Sequence, residues 1–315
     1  MSKESSVELF FDYIDTIGLA LYDYDKTMYL KSINEALSYL LDDQLENEYP
    51  EKIVKLFKQE KAKITNQSFD KEMIRKAIQL ALLRGFKHAK ITNAQMTPDS
   101  IGIFISYLIK KLYKEKALDT VFDPLIGTSN LVATLYNHYG KPFKIVGVDD
   151  DALMCDLARN ILDALAIDHQ IYFQDTLTFL AEQVDLIITD FPPQDKTHQS
   201  MYLPYHAIVH HLDHLKSEHY FIALIENDFF EQKQQALFKE LITPKAHLFG
   251  LIKLDEGLFK THAKSLLILK KKTHETDTLK DFLIVDLPSF TDLENFNKAL
   301  SNMEEWFKKK EVDVQ

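Results

Sequence analysis

The sequence predicts an α/β fold, a mostly parallel sheet of seven strands behind an N-terminal helical domain. Three observations predict it. First, residues 5–87 repeat apolar side chains at one-turn spacing, the mark of amphipathic helices. Second, between Asp119 and Pro193 short apolar runs each end in an acidic residue, a glycine or a proline. That pattern suits parallel strands whose C-terminal ends carry a ligand. Third, further apolar runs after residue 219 complete a sheet.

Composition sets outer limits. A hydrophobic content of 46% with 11% aromatic residues is enough for a core and excludes global disorder. The single cysteine, Cys155, excludes an internal disulfide framework and a Cys-rich zinc site. The start, Met-Ser-Lys-Glu-Ser-Ser, lacks the charged-then-apolar order of a signal peptide. No apolar run approaches the ~20 residues that span a bilayer. A soluble, cytoplasmic protein that binds no membrane is expected.

The net charge of −11 disfavours tight non-specific nucleic-acid binding. Its distribution is uneven. Residues 1–50 hold three Lys/Arg against eleven Asp/Glu, and residues 51–116 hold fifteen against six. A basic belt therefore lies between acidic blocks. Solvated helix faces that complement one another explain it most simply; a groove for a phosphate backbone is the sharper alternative.

Taken in order, Val7, Phe10, Phe11, Ile14, Ile17 and Leu21 form one helical stripe, and Ile33, Leu37, Leu40 and Leu41 a second. Asp23-Tyr-Asp-Lys26 separates them. Pro50 opens a helix with Ile53, Val54 and Phe57 on one side and Lys52, Lys55 and Lys58 on the other. Residues 70–87 repeat the pattern. These helices, assigned to a domain over 1–90, show core positions but no chemistry; partner binding or homodimer formation is the role they could serve. A second domain is placed over 91–315. Ile91–Ser100 reads as a loop into the helix Ile101–Leu112, with Thr97 as its cap and Pro98 in its first turn.

Asp119–Asp123 is the first strand, Leu125–Asn130 a turn and Leu131–His138 a helix. Gly127 permits backbone conformations or approaches closed to other residues, and the helix start offers N–H groups to a polar ligand. Lys144–Val148 is the second strand, followed by Asp149-Asp150-Asp151 and a helix over 152–165. Asp151 suits the helix cap. Asp149, at the end of a second parallel strand, suits the two hydroxyls of a ribose. The order strand, glycine turn, helix, strand, acid points to a nucleoside-type ligand. Cys155 falls within the helix as a packing residue.

Ile171–Gln174 is a third strand ending at Asp175, and Val184–Thr189 a fourth ending at Asp190-Phe-Pro-Pro193. Adjacent prolines stiffen that loop and leave carbonyls for a ligand. A helix over 202–215, the strand Tyr220–Glu226 and the helix Glu231–Leu241 follow. His247–Leu254 and Ser265–Lys271 are late strands joined by Asp255-Glu-Gly-Leu-Phe259. Residues 270–280 read as a surface loop or edge, Phe282–Val285 as an added strand and 291–310 as a last helix. His210 and His214 have ligand-like spacing, but no glutamate stands between them. Together with His211 they read as exposed helix histidines, and no metal is expected.

The ordered set Asp123-Pro124-x-x-Gly127-Thr128, Gly147-x-Asp149, Asp175 and Asp190-Phe-Pro-Pro193 resembles the class I S-adenosylmethionine-dependent methyltransferases. More narrowly, it resembles the N6-adenine DNA methylase family, including small stand-alone bacterial members, over roughly residues 91–271. The resemblance implies a Rossmann-like seven-stranded methyltransferase sheet and S-adenosyl-L-methionine as cofactor. It also implies cofactor contacts from Thr97, Asp123, Pro124, Gly127, Thr128, Asp149 and Asp175, the last toward the adenine ring. Asp190, Phe191, Pro192 and Pro193 stand at the catalytic motif, with Asp190 and the Phe191 carbonyl orienting an acceptor amine. Nucleic acid, DNA rather than RNA, is the implied partner.

Three positions depart from the family pattern. Ser129 replaces a second glycine, which the turn accepts if Ser129 avoids positive φ. Phe191 replaces a proline. Pro193, or Gln194 if one residue is inserted, replaces the aromatic that would stack on an extruded base. A catalytically impaired, methyltransferase-like binding or regulatory protein is therefore the competing reading. A nucleotide-dependent oxidoreductase ranks third, disfavoured by the late paired strands and the Asp-Phe-Pro-Pro loop.

Overall fold

The computed structural model describes residues 3–45, 47–91, 96–114, 116–193, 202–259, 262–279 and 281–312. Four helices open the chain: α1 (Lys3–Asp25), α2 (Tyr29–Asp42), α3 (Glu51–Thr65) and α4 (Lys71–Ala89). The first break falls where sequence places it. Asp25 accepts the Thr27 amide at 2.9 Å, and Lys26 takes φ 65°, which ends α1. Pro50 stands at the N-cap of α3, and the Asp70 side chain caps α4 through the Met73 amide at 2.8 Å. Phe10, Ile14, Ile17 and Leu21 of α1 are buried, and α1 packs on α2, α3 and α4.

Next come α5 (Asp99–Leu112), β1 (Thr120–Asp123), α6 (Asn130–Tyr139), β2 (Lys144–Asp149), α7 (Ala152–Ala164), β3 (His169–Phe173) and β4 (Val184–Asp190). The chain continues through α8 (Leu203–His211), β5 (Leu215–Glu226), α9 (Gln235–Ile242), β6 (Ala246–Lys253), β7 (Lys264–Lys271), β8 (Leu283–Asp286) and α10 (Leu293–Val312). Among the described residues the sheet has eight strands in the order β3-β2-β1-β4-β5-β7-β6-β8. Seven are the strands of the expected sheet, and the eighth is the added strand that the sequence suggested. The eighth, near Phe282–Val285, pairs parallel to β6. β7 runs antiparallel between β5 and β6.

Alternation along the strands supplies two cores. Val121, Leu186, Ile188 and Ile222 face the side packed with α5, α6, α7 and the N-terminal helices. Phe122, Ile187, Phe221 and Leu267 face the side packed with α8 and α9. Side chains of period two thus bury both faces of one sheet. The N-terminal helices share the first core, with α2 packed on α7 and α4 on α6. Lys71 reaches the Ala166 carbonyl at 2.9 Å, and Asn160 donates to Asn34 at 3.1 Å.

Part of the basic belt is neutralised within the chain. Lys61 pairs with Asp43, Lys63 with Glu60, and Arg84 with Asp15. This favours mutually complementary helix faces over a continuous phosphate groove. Strand order reverses between β1 and β4, and the crevice at their C-terminal ends is where α/β sheets bind ligands.

Candidate active site

Three carboxylates gather at that crevice. Asp123 ends β1, Asp149 ends β2 and Asp190 ends β4. Asp123 is buried and accepts the Leu125 amide at 3.0 Å. Burial pushes its carboxyl up to about 7, and the nearby charges of Asp149 and Asp190 push the same way. Burial also raises Asp149, opposed by amide bonds from Asp151 and Gly127.

The turn after β1 is shaped around Asp149. Its Oδ2 accepts the Gly127 amide at 2.9 Å, and its Oδ1 accepts the Asp151 amide at 2.9 Å. Gly127 has φ 49°, and a Cβ there would meet nothing within 4 Å among the described residues. Open space therefore lies against the backbone beside the carboxylate. Gly147 has the opposite role: a Cβ there would lie 2.2 Å from Ile126 Cδ1 and 3.0 Å from Ile171 Cδ1. Its absence lets the turn lie down on β2.

Ser129 does adopt positive φ, at 60°, so the expected condition on this position fails. The left-handed conformation that suits glycine is kept, with serine held in it at a cost of about 1–2 kcal/mol. Its hydroxyl is buried with no hydrogen-bond partner among the described residues. Strain and an orphaned donor mark this turn as shaped for something other than stability. The residues fit a ligand with a vicinal diol: a carboxylate at a strand end, an open glycine backbone and the start of α6. Phe173, the register partner of Asp149, is 61% exposed and adds an apolar surface beside it. Pro124 and Thr128 are buried within the turn. Asp175 is exposed and caps the turn after β3 through the Leu177 amide at 2.8 Å.

Thr97 serves the site instead of capping α5. The N-cap position is Pro98 and no side chain caps it. The Thr97 hydroxyl instead donates to Asp190 Oδ2 at 2.7 Å. The Thr97 carbonyl accepts from Asn130 at 3.0 Å, and Asn130 Oδ1 accepts from Arg75 at 3.1 Å. Arg75 is buried and also forks onto Glu72 and Asp99. Burial alone would raise Glu72, but bonds from Arg75 and Asn137 outweigh it and hold the carboxyl down at about 2.

The last strand pair closes the site. Lys264, the first residue of β7, lies opposite Glu226 and is buried. Its ammonium donates to Asp190 Oδ1 and to the Phe191 carbonyl at 2.8 Å. The Phe191 ring is buried in the core beside α8. Pro192 and Pro193 are half-buried, and Gln194 lies outside the described residues.

Sequence reasoning missed Arg75, Asn130 and Lys264. Arg75 carried a faint signal: it stands one turn before Ile78 and two turns before Leu82 on the apolar stripe of α4. Lys264 carried none, because a lysine beginning a strand usually reads as an edge. The histidines also differ from expectation. His211 and His214 are buried, and burial lowers His211 to about 3. His211 bonds to Thr176 at 2.8 Å and to His214 at 3.2 Å, while His210 donates to the Phe179 carbonyl at 2.8 Å. They staple the β3–β4 connection to α8.

Among the described residues no helix is long and apolar enough to cross a membrane. Residues 8–86 match the YtxK N-terminal helical domain. A putative class I S-adenosylmethionine-dependent methyltransferase from Listeria monocytogenes superposes with a TM-score of 0.86 at 29% identity, covering 96% of this chain and 99% of that one. The methyltransferase subunit of a type I restriction-modification system from Streptococcus thermophilus gives 0.61 at 14% identity, over 92% of this chain and 74% of that one; it supports the fold alone. The uncharacterized protein YtxK of Bacillus subtilis (strain 168) is 31% identical over 259 residues, 77% of this chain and 79% of its own. By that relationship the chain belongs to the YtxK family, built on the class I methyltransferase fold.

Proposed function

We propose that the protein is an S-adenosylmethionine-dependent methyltransferase. In this reading the cofactor lies across the C-terminal ends of β1, β2 and β3, and Asp190 and the Phe191 carbonyl face an acceptor amine of the adenine type. The observation that carries the reading is Asp149, which holds the Gly127 turn beside open backbone space. Asp149 would take the ribose hydroxyls, the turn would follow the cofactor's chain, and Phe173 and Asp175 would flank its adenine. Bound there, the cofactor supplies a methyl group on a sulfonium centre.

An exocyclic amine is a weak nucleophile because its lone pair is delocalised into the ring. Two acceptors, Asp190 and the Phe191 carbonyl, would draw its two N–H bonds into one orientation and localise the lone pair. Fixed geometry of this kind contributes a large part of a two-substrate rate. Thr97 would hold the second Asp190 oxygen in place. Nucleic acid, DNA in preference to RNA, is the acceptor class this arrangement suggests.

Calorimetric titration with S-adenosylmethionine tests the cofactor half. Wild type should bind, and Asp149→Ala should weaken binding at least tenfold. Absence of heat with wild type would sink the reading. A methyltransferase-like binding or regulatory protein is the second reading, favoured by the burial of the Phe191 ring in the core.

A further inference from the structure

The two oxygens assigned above to the acceptor amine already have a partner. Lys264 Nζ donates to Asp190 Oδ1 and to the Phe191 carbonyl, and the other Asp190 oxygen accepts from Thr97. An ammonium on these two acceptors presents the same pair of N–H bonds that an exocyclic amine would present. It is also buried and paired with a largely buried carboxylate, 16% exposed, so solvent does little to weaken the contact. A neutral amine brings no charge to replace it. The position follows from the fold: β7 runs antiparallel to β5, so its first residue arrives at the C-terminal end of β4, beside Asp190.

We propose that Lys264 stands in for the acceptor amine and closes the site to neutral exocyclic amines such as that of adenine. The proposal rests on the assignment of Asp190 and Phe191 as the acceptor site. With Lys264 in place the protein binds cofactor but methylates adenine only slowly, because Lys264 must first leave Asp190 and the Phe191 carbonyl. Removing one partner of a buried ion pair is strongly unfavourable, and the corresponding block on adenine is about a hundredfold or more.

The test compares wild type, Lys264→Met and Lys264→Gln. The glutamine variant retains an N–H donor for Asp190 should the methionine variant fail to fold, as judged by circular dichroism. Each protein is titrated with S-adenosylmethionine, then incubated with labelled cofactor and plasmid DNA lacking adenine methylation. Expected are cofactor affinities within about threefold of one another, slow formation of N6-methyladenine by wild type, and formation at least a hundredfold faster in a folded variant. N6-methyladenine from wild type at the variant's rate overturns the proposal, as does cofactor binding with no gain in either folded variant. A methyl group on Lys264 by mass spectrometry also overturns it, since Lys264 would then be the acceptor. No cofactor binding by any of the three instead removes the methyltransferase reading beneath it.

Discussion

Asp123→Asn isolates the electrostatic cost built into the crevice. Burial raises the Asp123 carboxyl to about 7, while an unfolded aspartate titrates near 3.9. Below pH 4 both states hold the proton and the residue costs nothing. As pH rises from 4 to 7 the unfolded chain gives up its proton while the folded chain keeps it, so stability falls; above 7 the full cost is present. A displacement of about three pH units corresponds to about 4 kcal/mol at pH 8 and about 1 kcal/mol at pH 4.5. Asparagine keeps the shape and an oxygen for the Leu125 amide but cannot ionise. Relative to wild type, the variant should gain about 3 kcal/mol between pH 4.5 and pH 8. Urea unfolding at both pH values, followed by far-UV circular dichroism and by the fluorescence of Trp306, measures it. Stabilities of wild type and variant that stay parallel across this range would refute the burial argument.

Five further outcomes follow from the contacts around the site. Ser129→Gly relieves positive φ and removes a buried, unpartnered hydroxyl; against the greater freedom of glycine when unfolded, a net gain of about 1 kcal/mol is expected in thermal melts. Arg75→Met leaves Glu72 and Asp99 without their shared cation and should cost about 3–5 kcal/mol in urea unfolding. Arg75→Lys should rescue little of it, since lysine lacks the planar fork that reaches both carboxylates. Gly147→Ala drives a methyl group against Ile126 and Ile171; a loss of about 1–3 kcal/mol is expected, with weaker calorimetric binding of S-adenosylmethionine as the turn lifts. Glu72, held down at about 2, contributes stability that is complete above its ordinary value near 4.5 and lost as pH falls toward 2, so Glu72→Gln should flatten the acid limb of the unfolding profile.

What the sequence made legible follows its local periodicities. The strand ends at Asp123, Asp149 and Asp190 were visible because each closes a short apolar run. The helices of the first 90 residues were visible because their apolar stripes recur every turn. Contacts between distant segments were not. Thr97 looked like a cap because threonine before proline and aspartate usually is one; nothing local indicated that Asp190, 93 positions away, would take its hydroxyl. Positive φ at Ser129 was equally hidden, because serine disfavours it and only the fit of the turn in the folded chain imposes it. β3 begins two residues earlier than expected, at His169, because pairing with Ile145 extends it beyond its apolar stretch. β5 extends back to Leu215 for the same reason, pairing with Val184 ahead of its apolar run.

The N-terminal helices belong to the site as much as to their own bundle. Arg75 on α4 bonds Asn130 at the start of α6, Asn130 bonds the Thr97 carbonyl, and the Thr97 hydroxyl bonds Asp190. Each link is a hydrogen bond between groups with little freedom, and Arg75 is fixed in turn by two carboxylates. From the opposite edge Lys264 holds the other Asp190 oxygen. Asp190 therefore sits between two supports that arise nearly 200 residues apart, one in the helical segment that marks the YtxK family and one in the last antiparallel strands. A parallel sheet alone would leave this carboxylate at an open strand end. Its fixed position in this chain comes from what is attached before and after the parallel strands: a change at Arg75 reaches Asp190 through Asn130 and Thr97, and a change at Lys264 reaches it directly.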